Sequence, residues 1–311
     1  MTDIPFSDET LQLSVSKPLT TLGMLRRGTG RAMRLSQGRL AVDRPAKITV
    51  TQEDVVLEAS RINAFRECCG FQGQAGGVPL SFPEIYFTPL MAQAMVSEAF
   101  PISPLGIIHV RQTLQQHQSL RPDDHCKAVC ELAAIRQTDR GIEFDFSMQL
   151  SRDGQTLWSG LGTMLSRSKS RSAGRVRQHK DSSQQEPSPQ ETVTFHAAAD
   201  TGRRYARISG DYNPHHLWKW TAMPVGFQRP IAHGMWTLSC ALGIALENTD
   251  SDTGVAAAVQ FKRPLLMPGK AAFVTDQLSA ARDRVPLSAQ CLATDTPLLR
   301  GEAWRSDDDR R

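Results

Sequence analysis

"RPIAHGMWTLSCALGIALE", residues 229 to 247, decides how the chain is read. From Met235 to Leu246 it is apolar on every side except at Thr237 and Ser239. A helix apolar all round is a buried one, and this run is too short to span a bilayer. Downstream, "AVQFKRPLL" (258 to 266) alternates as a strand does, and the strand-like runs "AAFVTDQLSAAR", "VPLSAQCLAT" and "LLRGEAWR" follow. The same order stands earlier in the chain. "PEIYFTPLMAQAMVSEAF" (83 to 100) is an apolar helix, followed by "IIHVRQTL" (107 to 114), "KAVCELAAIRQ", "IEFDFSMQL" and "WSGLGTMLSR". Ahead of each apolar helix lies a shorter helix closed by a glycine, "NAFRECCGF" (63 to 71) and "RRYARISGD" (203 to 211). A weak internal repeat of this kind, a long apolar helix followed by a meander of strands, predicts an α+β protein. It has two units, each a central helix wrapped by an antiparallel β-sheet.

The join between the units is "SRSKSRSAGRVRQHKDSSQQEPSPQET" (166 to 192), nearly free of apolar residues and unable to add to a core. The expected organisation is therefore an N-terminal extension over 1–45, a first unit over 46–168, a polar linker over 169–191 and a second unit over 192–311. The linker's basic first half reads as a solvated segment, with attraction to phosphate or an acidic carrier protein as the rarer alternative.

Composition narrows the functional classes. Of 311 residues, 40% are hydrophobic and 22% charged, as in globular proteins, and the net charge of +4 is too mild for a dedicated nucleic-acid binder. The opening "MTDIPFSDETLQL" lacks the basic-then-apolar order of an export signal, so a cytoplasmic location is expected. The six cysteines lack Cys-x-x-Cys spacing and read as reduced thiols, with Cys126 and Cys130 only a faint metal hint. No glycine-rich turn with a matching acidic residue follows a strand, so no redox cofactor is implied.

The two units differ in one place. Gly70 and Pro79 are nine positions apart, Gly210 and Pro230 twenty, and the extra segment holds "GDYNPHHLW". Pro214 fixes its own φ and biases Asn213 toward an extended backbone, so the chain turns sharply and a new helix is expected near His215. Such a turn can set Asp211 and His216 on one side of a pocket, where an acid and a base share a water. Asn213 can cap a helix or orient one of them. The plainer alternative makes Asp211 and Asn213 helix caps and the histidines ordinary polar residues. A metal site on Asp211, His215 and His216 is disfavoured because adjacent histidines point apart. Gly234, just ahead of the apolar helix, can leave its N–H free at the positive end of the helix dipole, as an oxyanion hole requires.

"YARISGDYNPHHLWKWTAMPVGFQRPIAHGM" (205 to 235) resembles the signature of the MaoC-like (R)-specific enoyl-CoA hydratases and 3-hydroxyacyl dehydratases, with Ser-Gly-Asp-x-Asn-Pro-x-His and Pro-Ile-Ala-His-Gly-Met in order. The resemblance implies a hotdog fold, and two in one chain imply the double-hotdog form. It implies Asp211 and His216 as the catalytic dyad, Gly234 as the oxyanion-hole amide and Asn213 as support of the dyad. It also implies reversible syn addition of water to a trans-2-enoyl thioester, giving the (3R)-3-hydroxyacyl thioester, with no cofactor and no metal. Coenzyme A or acyl carrier protein would be the thiol carrier in fatty-acid or related acyl metabolism. A monomer that mimics a dimer within one chain is expected, or a homodimer. Relatives often carry an aliphatic residue at the place of His215 and an Asp soon after the catalytic His. Here Leu217, Trp218, Lys219 and Trp220 follow, which bears on substrate contacts.

His233 sets the turn or helix start, with a direct catalytic or substrate-binding role as the alternative. Trp218, Trp220 and Trp236 belong to the core or line an acyl channel. Lys262 and Arg263 form a solvated strand end or meet the carrier's phosphates. The first unit, with Phe71 where the second has Asp211, is expected to be non-catalytic, leaving volume for a longer acyl chain. Two other functions remain open at this point: a hotdog thioesterase, and a catalytically silent acyl-thioester binding or assembly subunit.

Overall fold

The computed structural model describes residues 1–16, 35, 38–72, 77–104, 106–168, 191–249, 254–279 and 281–306. The linker expected over 169–191 lies outside them, except for Glu191. Two short strands open the chain, β1 (Thr2–Asp3) and β2 (Thr10–Ser14). The first half continues with β3 (Lys47–Val56), α1 (Ala59–Cys69), α2 (Glu84–Val96), β4 (Ile107–Gln116), β5 (His125–Thr138), β6 (Gly141–Arg152) and β7 (Gln155–Arg167). The second half runs β8 (Glu191–Ala197), α3 (Thr201–Ser209), α4 (Lys219–Ala222), α5 (Gly234–Ala245), β9 (Val255–Phe261), β10 (Gly269–Thr275), β11 (Arg284–Cys291) and β12 (Thr296–Arg305).

The strands form one large sheet in the order β2-β3-β5-β6-β7-β4-β9-β12-β11-β10-β8, with β1 paired to β5. It is antiparallel except at β2 and β3, which run parallel, so the N-terminal segment extends the sheet's edge and the whole is mixed. The halves meet at β4 and β9, paired from Arg111↔Gln260 to Gln116↔Val255. α2 lies on the part of the sheet built from β3, β5 and β6, and α5 on the part built from β10, β11 and β12. Every residue of α5 from Met235 to Ala245 is buried, each large apolar side chain contributing about 1.5–3 kcal/mol. No helix among the described residues is long and apolar enough to cross a membrane.

The repeat read in the sequence is present, with differences that have local causes. α1 and α3 end at Gly70 and Gly210, both in the left-handed region at φ 75° and 77°, where a side chain is strained. β9 stops at Phe261 rather than running to Leu266, because Pro264 has no N–H to give to a ladder. α5 begins only at Gly234, since Ile231 and Ala232 are held extended by hydrogen bonds to the carbonyls of His215 and Leu265. The strands β3 and β8 precede the helices and stand outside the repeat seen in the sequence. All six cysteines are free thiols.

Gly202 fixes the distance between α3 and the following turn. A Cβ there would lie 2.0 Å from the carbonyl oxygen of His216 and 2.8 Å from the Met267 side chain. The expected effect of Gly202→Ala is a loss of about 1–3 kcal/mol of stability, read by thermal unfolding, because a backbone atom rather than a mobile side chain must give way. Unchanged stability would mean that α3 does not seat on this turn.

Candidate active site

The site is built where α3 ends. Gly210 reverses the backbone, and Asp211 follows with its Oδ1 accepting hydrogen bonds from Asn213 N (3.2 Å) and Asn213 Nδ2 (2.6 Å). This is the local closure that Asp favours in turns; the Asn213 side chain bonds the carboxylate and makes no capping hydrogen bond to the 3-10 turn it heads. Instead of the helix expected near His215, a single 3-10 turn runs from Pro214 to His216 and carries His216 inward, 6% exposed.

His216 Nδ1 donates to the carbonyl of Ile231 at 2.7 Å. That bond places the proton on Nδ1 and leaves Nε2 with a free lone pair. Nε2 stands 3.9 Å from Asp211 Oδ2. His233 arrives from the start of α5 and stacks on His216, ring centroids 3.6 Å apart and planes at 24°. Its Nε2 lies 3.0 Å from the main-chain oxygen of Asp211 and 3.7 Å from Oδ2. The sequence left His233 with a turn-setting role, or a catalytic or substrate-binding one; the structure puts it against both Asp211 and His216.

Burial pushes His216 down to about 3, with the neighbouring His233 adding to the effect, and pushes His215 down to about 4. His233 is also lowered, chiefly by burial. Burial alone would raise Asp211, but the imidazoles of His233 and His216 and the Asn213 N–H outweigh it and hold the carboxyl below its ordinary range. At neutral pH the cluster is thus one carboxylate among neutral imidazoles. With Nε2 of His216 bare, neither it nor the carboxylate has a proton for the other across 3.9 Å. A group bridging them must donate to both, which a water molecule does.

The donor atoms of Asp211, His216 and His233 lie within 4.8 Å of one another, the crowding a divalent ion needs. The nearly parallel imidazoles, however, send their in-plane lone pairs alongside each other rather than toward a common point. This trio replaces the Asp211, His215 and His216 set weighed from the sequence; His215 faces Phe227 and the edge of His216.

Gly234 is the first residue of α5, in the turn whose N–H groups have no partner inside a helix. A Cβ there would lie 3.2 Å from the Phe261 ring. The other expected residues fall elsewhere. Trp236 is 2% exposed and donates from Nε1 to the Cys68 carbonyl at 2.9 Å, a contact between the halves. Trp218 and Trp220 are exposed and stacked on each other, which places them outside the core. Lys262 and Arg263 are exposed beyond β9, Lys262 donating to Gln260. In the first half Phe71 lies against the backbone of Gly243 on α5.

Three groups near Asp211, Tyr205 and Glu84 buried and His109 partly so, were not singled out from the sequence. Tyr205 of α3 packs on His233 at 4.9 Å. From the first half come Glu84 at the start of α2 and His109 of β4, and both feel the Asp211 charge. Burial lowers His109 to about 4, keeping it neutral. For Glu84 a signal existed, a single charge opening an otherwise apolar helix. His109 and Tyr205 sit in ordinary strand and helix patterns.

Residues 178–280, in the second half of the chain, match the family model described as "MaoC like domain". The chain as a whole is similar to 3-hydroxyacyl-thioester dehydratase X of Mycobacterium tuberculosis. The two are 26% identical over 248 residues, which cover 78% of this chain and 87% of that protein. The crystal structure of HtdX from the same organism superposes with a TM-score of 0.68 at 22% identity, covering 82% of this chain and 98% of that one. A MaoC-like dehydratase from Phytophthora capsici gives a TM-score of 0.60 at 15% identity, covering 85% and 96%. These neighbours establish a hotdog-type fold.

Proposed function

We propose that the protein catalyses the reversible hydration of trans-2-enoyl thioesters to (3R)-3-hydroxyacyl thioesters, carried on coenzyme A or acyl carrier protein. The observation that carries this reading is the 3.9 Å gap between Asp211 Oδ2 and a His216 Nε2 whose tautomer is fixed by Ile231. A water held there gives one proton toward each acceptor and turns a lone pair toward the substrate. In hydration its oxygen bonds to the β-carbon as one of its protons passes to the dyad. The electron pair of the double bond moves toward the thioester oxygen, and a proton returns to the α-carbon on the same face. Atoms balance as enoyl thioester plus water. Gly234 N–H receives the oxygen's growing charge, and Asn213 keeps Asp211 aimed.

In this reading each half is a hotdog unit, 46–168 and 192–311, and the chain is a double hotdog that needs no second copy to complete its site. The first unit serves as scaffold and pocket wall, and Lys262 and Arg263, exposed beyond β9, meet the carrier's phosphates. The test is loss of enoyl absorbance over a trans-2-enoyl-CoA series of increasing length, then over carrier-protein thioesters. Turnover extending beyond four carbons is expected. A sharp loss beyond four carbons would remove the first unit's part in the pocket. Tight binding without turnover on either carrier would make the protein a silent thioester-binding subunit.

A further inference from the structure

One turn ahead of α2, Ser81 lies in hydrogen-bond contact with Ser239 of α5, oxygen to oxygen 2.9 Å. Beside it Phe82 meets Phe65 edge-on at 5.4 Å, and Phe65 meets Tyr205 of α3 at 6.0 Å. The turn ahead of α2 is therefore packed on α5 through Ser81 and on α1 through Phe82, and α2 meets α3, which ends beside Asp211. Glu84 sits there, 3% exposed. Among the described residues its carboxyl accepts one long hydrogen bond, from the Thr88 hydroxyl at 3.4 Å, and no cation pairs with it. Close by, Tyr205 Oη and His233 Nδ1 are buried without a hydrogen-bond partner among the described residues. A buried carboxyl without a cation is costly as an anion, and groups so placed are candidates for functional sites.

We propose that Glu84, supplied by the half of the chain that lacks the Ser-Gly-Asp stretch, is a positioning residue for the reaction centre. While neutral it leaves Asp211 the single carboxylate there, and on ionising it sets a second negative charge beside an intermediate that is itself negative. This rests on the hydration reading above. Burial, and then the Asp211 charge, push Glu84 up to about 8. The other titratable groups that feel its charge are Tyr205 of α3 and Cys130 of β5, and burial raises both so that they stay neutral over the working range. Cys68, held below its ordinary value by its hydrogen bond with Cys69, also acts on Tyr205, so the Glu84→Gln comparison is what isolates the Glu84 charge between neutral and alkaline pH.

The expected result is that kcat/KM for a trans-2-enoyl-CoA falls about tenfold or more on the alkaline side of pH 8. Glu84→Gln, of the same shape and always neutral, should lose that fall when its profile is normalised to its own value at pH 7. A role in packing alone would leave the limb in place. The sign for stability follows the same proton. A carboxyl raised in the folded state favours folding fully below its unfolded value and loses that advantage as pH rises through about 8. The Tm of Glu84→Gln minus that of the parent should therefore widen from about pH 5 to pH 8.5. An active parent with a flat profile, an alkaline limb shared by the Gln protein, or a constant Tm gap would each overturn the role of Glu84 alone. A parent inert toward every enoyl thioester would overturn the hydration reading, and Glu84's part with it.

Discussion

Asp211→Asn and His216→Ala should each lower enoyl-thioester turnover by about 10²- to 10⁴-fold, the usual worth of a positioned acid or base. The proposed dyad accounts for each loss. Asn at 211 keeps the shape but offers the bridging water one acceptor fewer and places an N–H where a lone pair is needed. Ala at 216 removes the only ring nitrogen that Ile231 fixes with its lone pair toward Oδ2, at 3.9 Å. On the proposed reading the two residues share one water, so the double variant should be scarcely worse than the worse single one. Asp211 retains a quarter of its side-chain exposure, so Asp211→Asn should unfold near the parent's Tm and separate chemistry from folding. Turnover within tenfold of the parent in both variants would mean that the pair is not the water-holding centre.

Trp236→Ala should cost about 3–5 kcal/mol of stability, the range for truncating a large buried aromatic side chain. Trp236 is buried and its Nε1 donates to Cys68 at the end of α1, so the substitution opens a cavity and strips a buried carbonyl of its partner. A Tm lower by on the order of 10 °C is expected for a chain of this size. Trp236→Phe keeps most of the volume and should lose about 1 kcal/mol for the hydrogen bond. If Trp236 instead lined an acyl channel, the Ala protein would keep its Tm and change its preference for chain length.

What was legible in the sequence was local. The apolar runs over α2 and α5 identify buried helices without reference to any partner. Gly70 and Gly210 signal helix ends because left-handed backbone suits glycine, and Pro214 announces the turn that carries His216. The resemblance over 205 to 235 names Asp211, His216 and Gly234 together. What escaped depends on contacts distant in sequence. The stacking of His233 on His216 requires the Ile231 and Ala232 backbone to be pinned to His215 and Leu265. Trp236 reads equally well as pocket lining or core until Cys68 comes within reach. Glu84 lies more than a hundred positions from the residue whose charge it feels, and only the packing of α2 on α3, and of the turn ahead of it on α5, brings them together. The strand β8 is short and emerges from a polar stretch, so its seven residues carry little periodicity of their own.

The most direct measurement is the product formed when the purified protein meets a trans-2-enoyl thioester in water, resolved by chirality and by release of thiol. The (3R)-3-hydroxyacyl thioester, with its thiol still esterified, is the predicted product. Free thiol with no hydroxyacyl thioester would contradict the account and make the site a thioesterase.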